Sequence, residues 1–159
     1  MKQEFKYKTT PFEHQREALK KGATSFNFAY FMEMGTGKTK VAIDNASYLF
    51  CEQLIDTVIV VAPNSVYRNW EKEIEMHGSV DYNITLHKVD KKFNYQLDKL
   101  NYFLINVEAL SHSSGVQALS KIIGPLGNKA MMIIDESTTI KNRSAKRTKH
   151  IIKLGGLVK

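Results

Sequence analysis

Residues 33–40 form a glycine-rich loop, and this loop restricts the fold more than any other part of the chain. It reads Glu-Met-Gly-Thr-Gly-Lys-Thr-Lys, between an apolar stretch at 26–32 and a helical pattern at 38–51. Gly35 and Gly37 allow the backbone to turn so that its N–H groups face a phosphate, and the following helix adds its positive N-terminal end. A strand, a glycine loop and a helix in this order predict a phosphate-binding α/β domain.

The side chains of the loop are those that a nucleoside triphosphate and its Mg²⁺ require. Lys38 is predicted to contact the β- and γ-phosphates, and the Thr39 hydroxyl is predicted to ligate Mg²⁺. The full phosphate-loop pattern has a further glycine at the position of Met32, so this loop is a reduced form of the pattern. The residues that we expect to bind the nucleotide here are Met34, Gly35, Thr36, Gly37, Lys38, Thr39 and Lys40.

Two acids, Asp135 and Glu136, end the apolar stretch at 130–134. The carboxyl ends of strands are where ligands bind in open α/β sheets. Asp135 is therefore predicted to hold Mg²⁺, and Glu136 to orient and deprotonate an attacking water. Together with Lys38, these acids are the predicted catalytic residues, and a nucleoside triphosphate and Mg²⁺ are the predicted ligands; the resemblance described below implies that the nucleotide is ATP.

Apolar segments alternate with helical patterns, which is typical of a mainly parallel sheet with helices on both faces. A first helix is predicted from Thr10 as N-cap, Pro11 at the first position and Glu13 in a capping box, with Gly22 as its end. The other predicted helices cover 38–51, 66–76 (capped by Asn64 or Ser65), 115–123 and 144–154 (capped by Ser144). The predicted strands cover 26–32, 57–62, 83–87, 102–106 and 130–134, and Leu157-Val158 could begin another. Residues 88–100 have no clear pattern.

The length and composition indicate one intracellular domain. A chain of 159 residues is long enough to bury a sizeable core. No apolar run reaches the roughly 18 residues that span a bilayer, and the N-terminus has no apolar segment of the signal-peptide type. Cys51 is the single cysteine, which excludes an internal disulfide and fits a reducing compartment such as the cytoplasm or nucleoid. The five histidines are scattered, so a Cys/His metal cluster is not expected.

The chain carries a formal charge of +7, from 23 Lys and Arg against 16 Asp and Glu. A basic balance favours nucleic acid as a partner, although a solvated basic surface explains the charge alone equally well. Residues 141–153 form a basic run without any acidic residue. Its basic residues are Lys141, Arg143, Lys146, Arg147, Lys149 and Lys153. Because this run directly follows the acidic pair, it favours a nucleic-acid partner near the predicted ATP site.

Four segments occur in the order seen in superfamily-two helicases, and the chain resembles this group. Residues 12–15, 34–39, 62–70 and 133–136 look like the glutamine motif and motifs I, Ia and II. Asn69-Trp70 followed by acids, and Ile140-Lys141-Asn142 after motif II, are most similar to the Swi/Snf-like DNA translocases.

The resemblance implies roles for several residues. Gln15 would contact the adenine edge, because an amide can donate to and accept from adenine at once. The motif Ia segment would touch the nucleic-acid backbone, and the basic run could contact phosphates. The implied nucleic-acid contacts are Asn64, Ser65, Arg68, Lys141, Asn142, Arg143 and Lys146, with DNA favoured over RNA. Trp70 is expected to pack in the core, and His14 to pack or cap.

The resemblance also implies a second helicase lobe that supplies arginines to the γ-phosphate, and no motif of that lobe occurs in residues 1–159. The chain alone is therefore expected to hydrolyse ATP poorly. Ser137-Thr138 stands where the family has a small residue and a histidine. Thr138 cannot carry a charge as an imidazole can, so we expect ATP hydrolysis to be coupled to nucleic-acid binding in a different way. Two alternatives remain at this point. One is a self-contained P-loop kinase or small NTPase, and the other is a nucleic-acid-binding module with a vestigial ATP site.

Overall fold

The computed structural model describes residues 3–23, 25, 27–33, 35–87, 92–136, 142 and 144–158. In these residues, parallel strands form one sheet in the order β2-β3-β1-β4. The strands are β1 (Thr57–Ala62), β2 (Tyr82–Leu86), β3 (Leu100–Asn106) and β4 (Ala130–Ile134). The helices are α1 (Glu13–Gly22), α2 (Lys38–Cys51), α3 (Asn69–His77), α4 (Ser113–Leu126) and α5 (Lys146–Gly155). Short 3₁₀ turns cover Val107–Ser111 and Gly127–Lys129. The predicted α/β fold is confirmed.

The central strand β1 is buried along its whole length and separates two hydrophobic cores. Successive side chains of a strand point to opposite faces of the sheet. Val58 and Val60 accordingly pack in the core beneath α2 and α3. Ile59 and Val61 pack in the core beneath α4 and α5. Helices therefore cover both faces of the sheet, which is why β1 is apolar from Val58 to Ala62. In the described part of the chain, no helix is long and apolar enough to cross a membrane.

The strand register aligns the carboxyl ends of three strands at one edge of the sheet. Ala62 of β1 pairs with Asn106 of β3, and Val61 of β1 pairs with Ile134 of β4. The Asp135 N–H donates to the Val61 carbonyl at 2.9 Å, which continues this pairing by one residue. The acid pair and the segment that follows β1 therefore leave the sheet at the same edge.

The predicted strand at 26–32 is wrong for the residues that the structure describes, which are 27–32; Phe26 lies outside them. The backbone hydrogen bonds in this stretch are local: Phe31 N to Ala29 O at 3.2 Å and Met32 N to Tyr30 O at 3.0 Å. A strand needs a neighbouring strand for its hydrogen bonds. Within the described residues, β4 is the last strand on its side of the sheet, and residues 27–32 do not pair with it. Phe31 is accordingly 98% exposed. The strand suggested at Leu157-Val158 is also absent, because Leu157 closes a turn onto Leu154 at the end of α5.

The start of α1 differs from the prediction. Phe12 is the N-cap, and the helix begins at Glu13 rather than after Thr10. Gln15, not Glu13, returns a side-chain hydrogen bond, because its Oε1 accepts from the Phe12 N–H at 3.0 Å. The predicted end at Gly22 is confirmed.

The starts of α3 and α5 also differ from the prediction. Residues 64–68 form turns, so α3 begins at Asn69 and neither Asn64 nor Ser65 caps it. Ala145, rather than Ser144, is the N-cap of α5. The observed helix α4 is longer at both ends than the helix predicted at 115–123. The strand predicted at 83–87 is β2, which begins and ends one residue earlier, and β3 begins two residues before the predicted start at 102.

A buried polar network joins the N-terminal segment to α2 and α3. Lys40 Nζ lies 2.7 Å from Asp44 Oδ2, and both side chains are almost fully buried. Lys40 also donates to the Thr9 carbonyl at 3.1 Å. The Thr9 hydroxyl lies 2.6 Å from His77 Nδ1 on α3. These contacts hold residues near position 9 against both helices.

His77 should make stability fall in acid. Burial, followed by the nearby Lys40 ammonium, lowers the pKa of His77 below 6.5. The carboxylates of Glu73 and Asp44 raise this pKa in part, and the Lys8 ammonium lowers it further. Because the folded pKa lies below the unfolded one, the stabilising contribution is present above pH 6.5 and is lost as the pH falls through the folded pKa.

The measurement is the free energy of unfolding from urea titrations at about pH 7.5 and 5.5. We expect His77→Gln to lose less stability between these values than the wild type does. His112→Gln, at an exposed histidine, is the control and should behave as the wild type. Equal losses in wild type and His77→Gln would contradict the prediction.

Candidate functional site

The glycine loop has the backbone conformation that its glycines predict. Gly35 and Gly37 have φ values of 78° and 82°, in the left-handed region that favours glycine. Thr36 fastens the loop, because its Oγ1 donates to the Glu33 carbonyl at 2.7 Å. Gly37 is the N-cap of α2, so the free N–H groups of the first turn of α2 follow directly after the loop. Met34 lies outside the described residues.

Gln15 is part of the wall of this loop. Its Oε1 accepts from the Phe12 N–H, and its Nε2 donates to the Thr36 carbonyl at 3.0 Å. The side chain is 5% exposed, and a Cβ added at Gly37 would collide with its Nε2. His14 Nε2 also lies 3.1 Å from the Thr36 carbonyl. Each polar atom of the Gln15 amide therefore already has one backbone partner. Adenine contact by Gln15 stays a prediction.

Lys38 and Thr39 are the first two residues of α2, and both are partly exposed. Lys38 Nζ donates to the Met32 carbonyl at 3.0 Å and to the Glu33 carbonyl at 3.3 Å. The ammonium group therefore lies across the loop, where an anionic phosphate would compete with two neutral carbonyls as its acceptor.

Lys40 differs from the other residues that we expected to bind ATP. Its ammonium is buried against Asp44 and the Thr9 carbonyl, and it lies 5.5 Å from the centre of the Tyr7 ring. Any nucleotide contact of Lys40 is therefore limited to its backbone. This ion pair was not predicted from the sequence. The spacing of Lys40 and Asp44 by four residues on a predicted helix could have indicated it.

Asp135 is held from two directions. The indole Nε1–H of Trp70 donates to its Oδ2 at 3.0 Å, and the Glu136 N–H donates to its Oδ1 at 2.9 Å. Glu136 is exposed and has a φ of 53°, which is uncommon for a residue with a side chain. Such strain occurs preferentially at functional sites. Trp70 packs in the core as expected, but its contact with Asp135 was not predicted.

The chemistry of these groups fits Mg²⁺ and ATP. A Mg²⁺ ion at a nucleotide is usually held by one or two carboxylates together with phosphates and waters. The Thr39 hydroxyl and the Asp135 carboxylate are ligands of the kind that such an ion takes. Among the described residues, no group of three or more His, Cys, Asp or Glu could hold a metal ion.

The predicted nucleic-acid contacts after β1 are exposed. Asn64, Ser65 and Arg68 lie on the turns between β1 and α3, which we call the 63–68 turn. The Asn64 Oδ1 accepts from Asn106 Nδ2 at 3.2 Å, which ties this turn to the end of β3. The Arg68 guanidinium lies 6.0 Å from the centre of the Tyr67 ring.

The basic run is described only in part, because Lys141 and Arg143 lie outside the described residues. The Asn142 Oδ1 accepts from the Ser144 N–H and hydroxyl, so this side chain shapes the turn before α5. Lys146 is exposed in the first turn of α5. It borders an open surface cavity of about 610 Å³, whose other lining residues are Ser111, Ser113, Val116, Gln117 and His150.

The sequence model of a family described as the SNF2-related domain matches residues 27–157. The chain belongs to this family. Its resemblance to the Swi/Snf-like group is thereby confirmed, and the self-contained kinase and the vestigial module are not favoured.

Among solved structures, the chain is similar to the Sulfolobus solfataricus SWI2/SNF2 ATPase core in complex with dsDNA. The TM-score is 0.73 at 21% identity, which supports the shared fold. The match covers 95% of this chain and 31% of the Sulfolobus chain, so this SNF2-related domain spans about a third of that protein's length. No curated protein matches the chain.

Proposed function

We propose that this SNF2-related domain is the ATP-binding lobe of a DNA-dependent ATPase of the helicase or translocase kind. The whole protein would couple ATP hydrolysis to movement along nucleic acid or to its remodelling. One observation supports this most directly: the acid pair and the exposed 63–68 turn leave the sheet at the same edge. In addition, Trp70 of α3 contacts Asp135. A nucleotide site and a nucleic-acid site joined in this way fit an enzyme that couples the two.

In the proposed reaction, the loop and the N-terminus of α2 bind the phosphates of ATP, and Lys38 binds at the β- and γ-phosphates. Thr39 and Asp135 would hold Mg²⁺, which would supply positive charge next to the phosphates. Glu136 orients the attacking water and accepts its proton. Its exposed carboxylate, next to Asp135 in the chain, supports this role.

We further propose that the chain is one of two lobes. The similar Sulfolobus protein is about three times as long as the matched part, which supports this view. Arginines from a partner lobe are worth about 10³–10⁵ in rate in other NTPases. The chain alone would then bind ATP but turn it over slowly.

Duplex DNA binding tests the nucleic-acid half of the proposal. We expect labelled duplex DNA to bind, with an affinity that falls as salt rises, because Lys and Arg release counterions from the phosphates. Arg68→Ala should make the slope of log Kobs against log salt shallower by about 0.9, the value for one lost phosphate contact. Fluorescence anisotropy between about 50 and 200 mM salt measures the slope.

Lys129→Ala is the matched control, since Lys129 is exposed and directly precedes β4, at the opposite edge of the sheet. This variant has the same change of charge and should keep the wild-type slope. If both variants change the slope equally, general charge explains the binding and the 63–68 turn is not the contact. Absence of DNA binding by the wild type would contradict the proposed function in this form.

A further inference from the structure

The buried indole of Trp70 has one polar group, and that group points to the predicted Mg²⁺ ligand. Trp70 is 3% exposed and packs with Ile74 in the core beneath α2 and α3. An indole N–H is a donor only, and a buried one needs an acceptor. The acceptor here is Oδ2 of Asp135, at 3.0 Å and 65 residues further along the chain. Packing alone would not require this partner.

The contact fixes the direction of the Asp135 carboxylate. Its Oδ1 accepts from the Glu136 N–H at 2.9 Å, and its own N–H donates to the Val61 carbonyl at 2.9 Å. Of these three hydrogen bonds between described residues, the indole supplies the one that comes from outside the sheet and its immediate extension. Each carboxylate oxygen has two lone pairs, so both can accept these bonds and retain one for a metal ion.

We propose that Trp70 is a positioning residue, which orients the Asp135 carboxylate for Mg²⁺ at the ATP site. This inference rests on the proposed function. Hydrogen-bond partners of metal ligands hold the ligand in its binding geometry, and their loss typically weakens metal affinity by about 10- to 100-fold. Trp70 lies two residues after Arg68, so the same helix start also adjoins the 63–68 turn.

The test compares ATP binding with and without Mg²⁺. Isothermal titration calorimetry gives the Kd of ATP in Mg²⁺ and in EDTA for the wild type, Trp70→Phe and Ile74→Val. Phenylalanine keeps an aromatic ring in the core but removes the N–H. We expect Trp70→Phe to leave the Kd in EDTA within about twofold, and to weaken binding in Mg²⁺ by about tenfold.

Ile74→Val is the matched control, because Ile74 is fully buried on the same helix one turn further on. It reduces packing in the same core without touching Asp135, and both Kd values should stay at the wild-type level. The proposal is overturned if Mg²⁺ strengthens ATP binding by Trp70→Phe as much as it does for the wild type. It is also overturned if Ile74→Val loses as much of this Mg²⁺ effect on the Kd as Trp70→Phe does. Failure of the proposed function would look different, as an absence of ATP binding by the wild type in both solutions.

A second measurement needs no change at Trp70. It is the only tryptophan, so the protein has a single indole ¹⁵N–¹H resonance. We expect Asp135→Ala to shift this resonance and to speed its hydrogen exchange. In the wild type, ATP with Mg²⁺ should move it relative to ATP in EDTA. An indole resonance that responds to neither change would refute the contact and with it the positioning role.

Discussion

Replacing Lys38 with alanine should weaken ATP binding by about 10- to 150-fold. This range corresponds to the 1.5–3 kcal/mol of a hydrogen bond to a charged group, at about 1.4 kcal/mol per tenfold in affinity. In the structure the Lys38 ammonium has two carbonyl acceptors within the loop, from Met32 and Glu33. A triphosphate is a stronger acceptor than either, because its oxygens are charged. Equilibrium titration of ATP into the wild type and the variant measures the effect.

The control variant is Lys20→Ala, which removes the same charge from the exposed end of α1 and should bind ATP as the wild type does. AMP adds a second control, since it lacks the β- and γ-phosphates that Lys38 is predicted to contact. Its affinity should change much less than that of ATP. Equal losses for AMP and ATP would place Lys38 away from the terminal phosphates, and an unchanged ATP affinity would contradict the predicted phosphate site.

The central part of the fold could be predicted because its signals are local. β1 is apolar from Val58 to Ala62 and buried in every residue, and only a strand covered on both faces needs that pattern. The segment at 26–32, which was predicted to be a strand, is also mainly apolar, yet its described residues pair with no strand. Pairing depends on which segments lie side by side, and apolar composition does not contain this information. Phe31, at 98% exposed, shows how far the pattern misled the prediction.

The candidate site divides in the same way. Gly35, Gly37 and Lys38 were predictable, because a loop that turns around a phosphate needs left-handed backbone and a cation at fixed spacing. The partners of these groups were not. The contact from Trp70 to Asp135 joins residues 65 positions apart, and the sequence contains no mark of it except the need of a buried indole for an acceptor. Gln15 likewise binds the loop backbone, which its predicted adenine role did not suggest.

Replacing Asp44 with alanine should lower the free energy of unfolding by about 3–5 kcal/mol, the usual cost of leaving one partner of a buried ion pair alone. Asp44 is 1% exposed, and its removal would leave the Lys40 ammonium with the Thr9 carbonyl and the Tyr7 ring. Burial raises the pKa of Asp44, and the hydrogen bond and the charge of Lys40 oppose that rise. For a chain of this size, the loss corresponds to a fall in Tm of roughly 6–20 °C.

Urea unfolding of three variants separates the pair from the simple loss of a surface charge. Glu13→Ala breaks the exposed pair with Arg16, where the closest atoms are 3.9 Å apart, and should cost less than about 1 kcal/mol. The double variant Lys40→Met with Asp44→Leu should regain most of the stability that Asp44→Ala loses, because apolar groups of similar volume need no partner in the core. If Asp44→Ala costs no more than Glu13→Ala, water reaches the Lys40 ammonium. The N-terminal segment would then be held against α2 and α3 by the packing of Phe5 and its neighbours, and not by the buried charges.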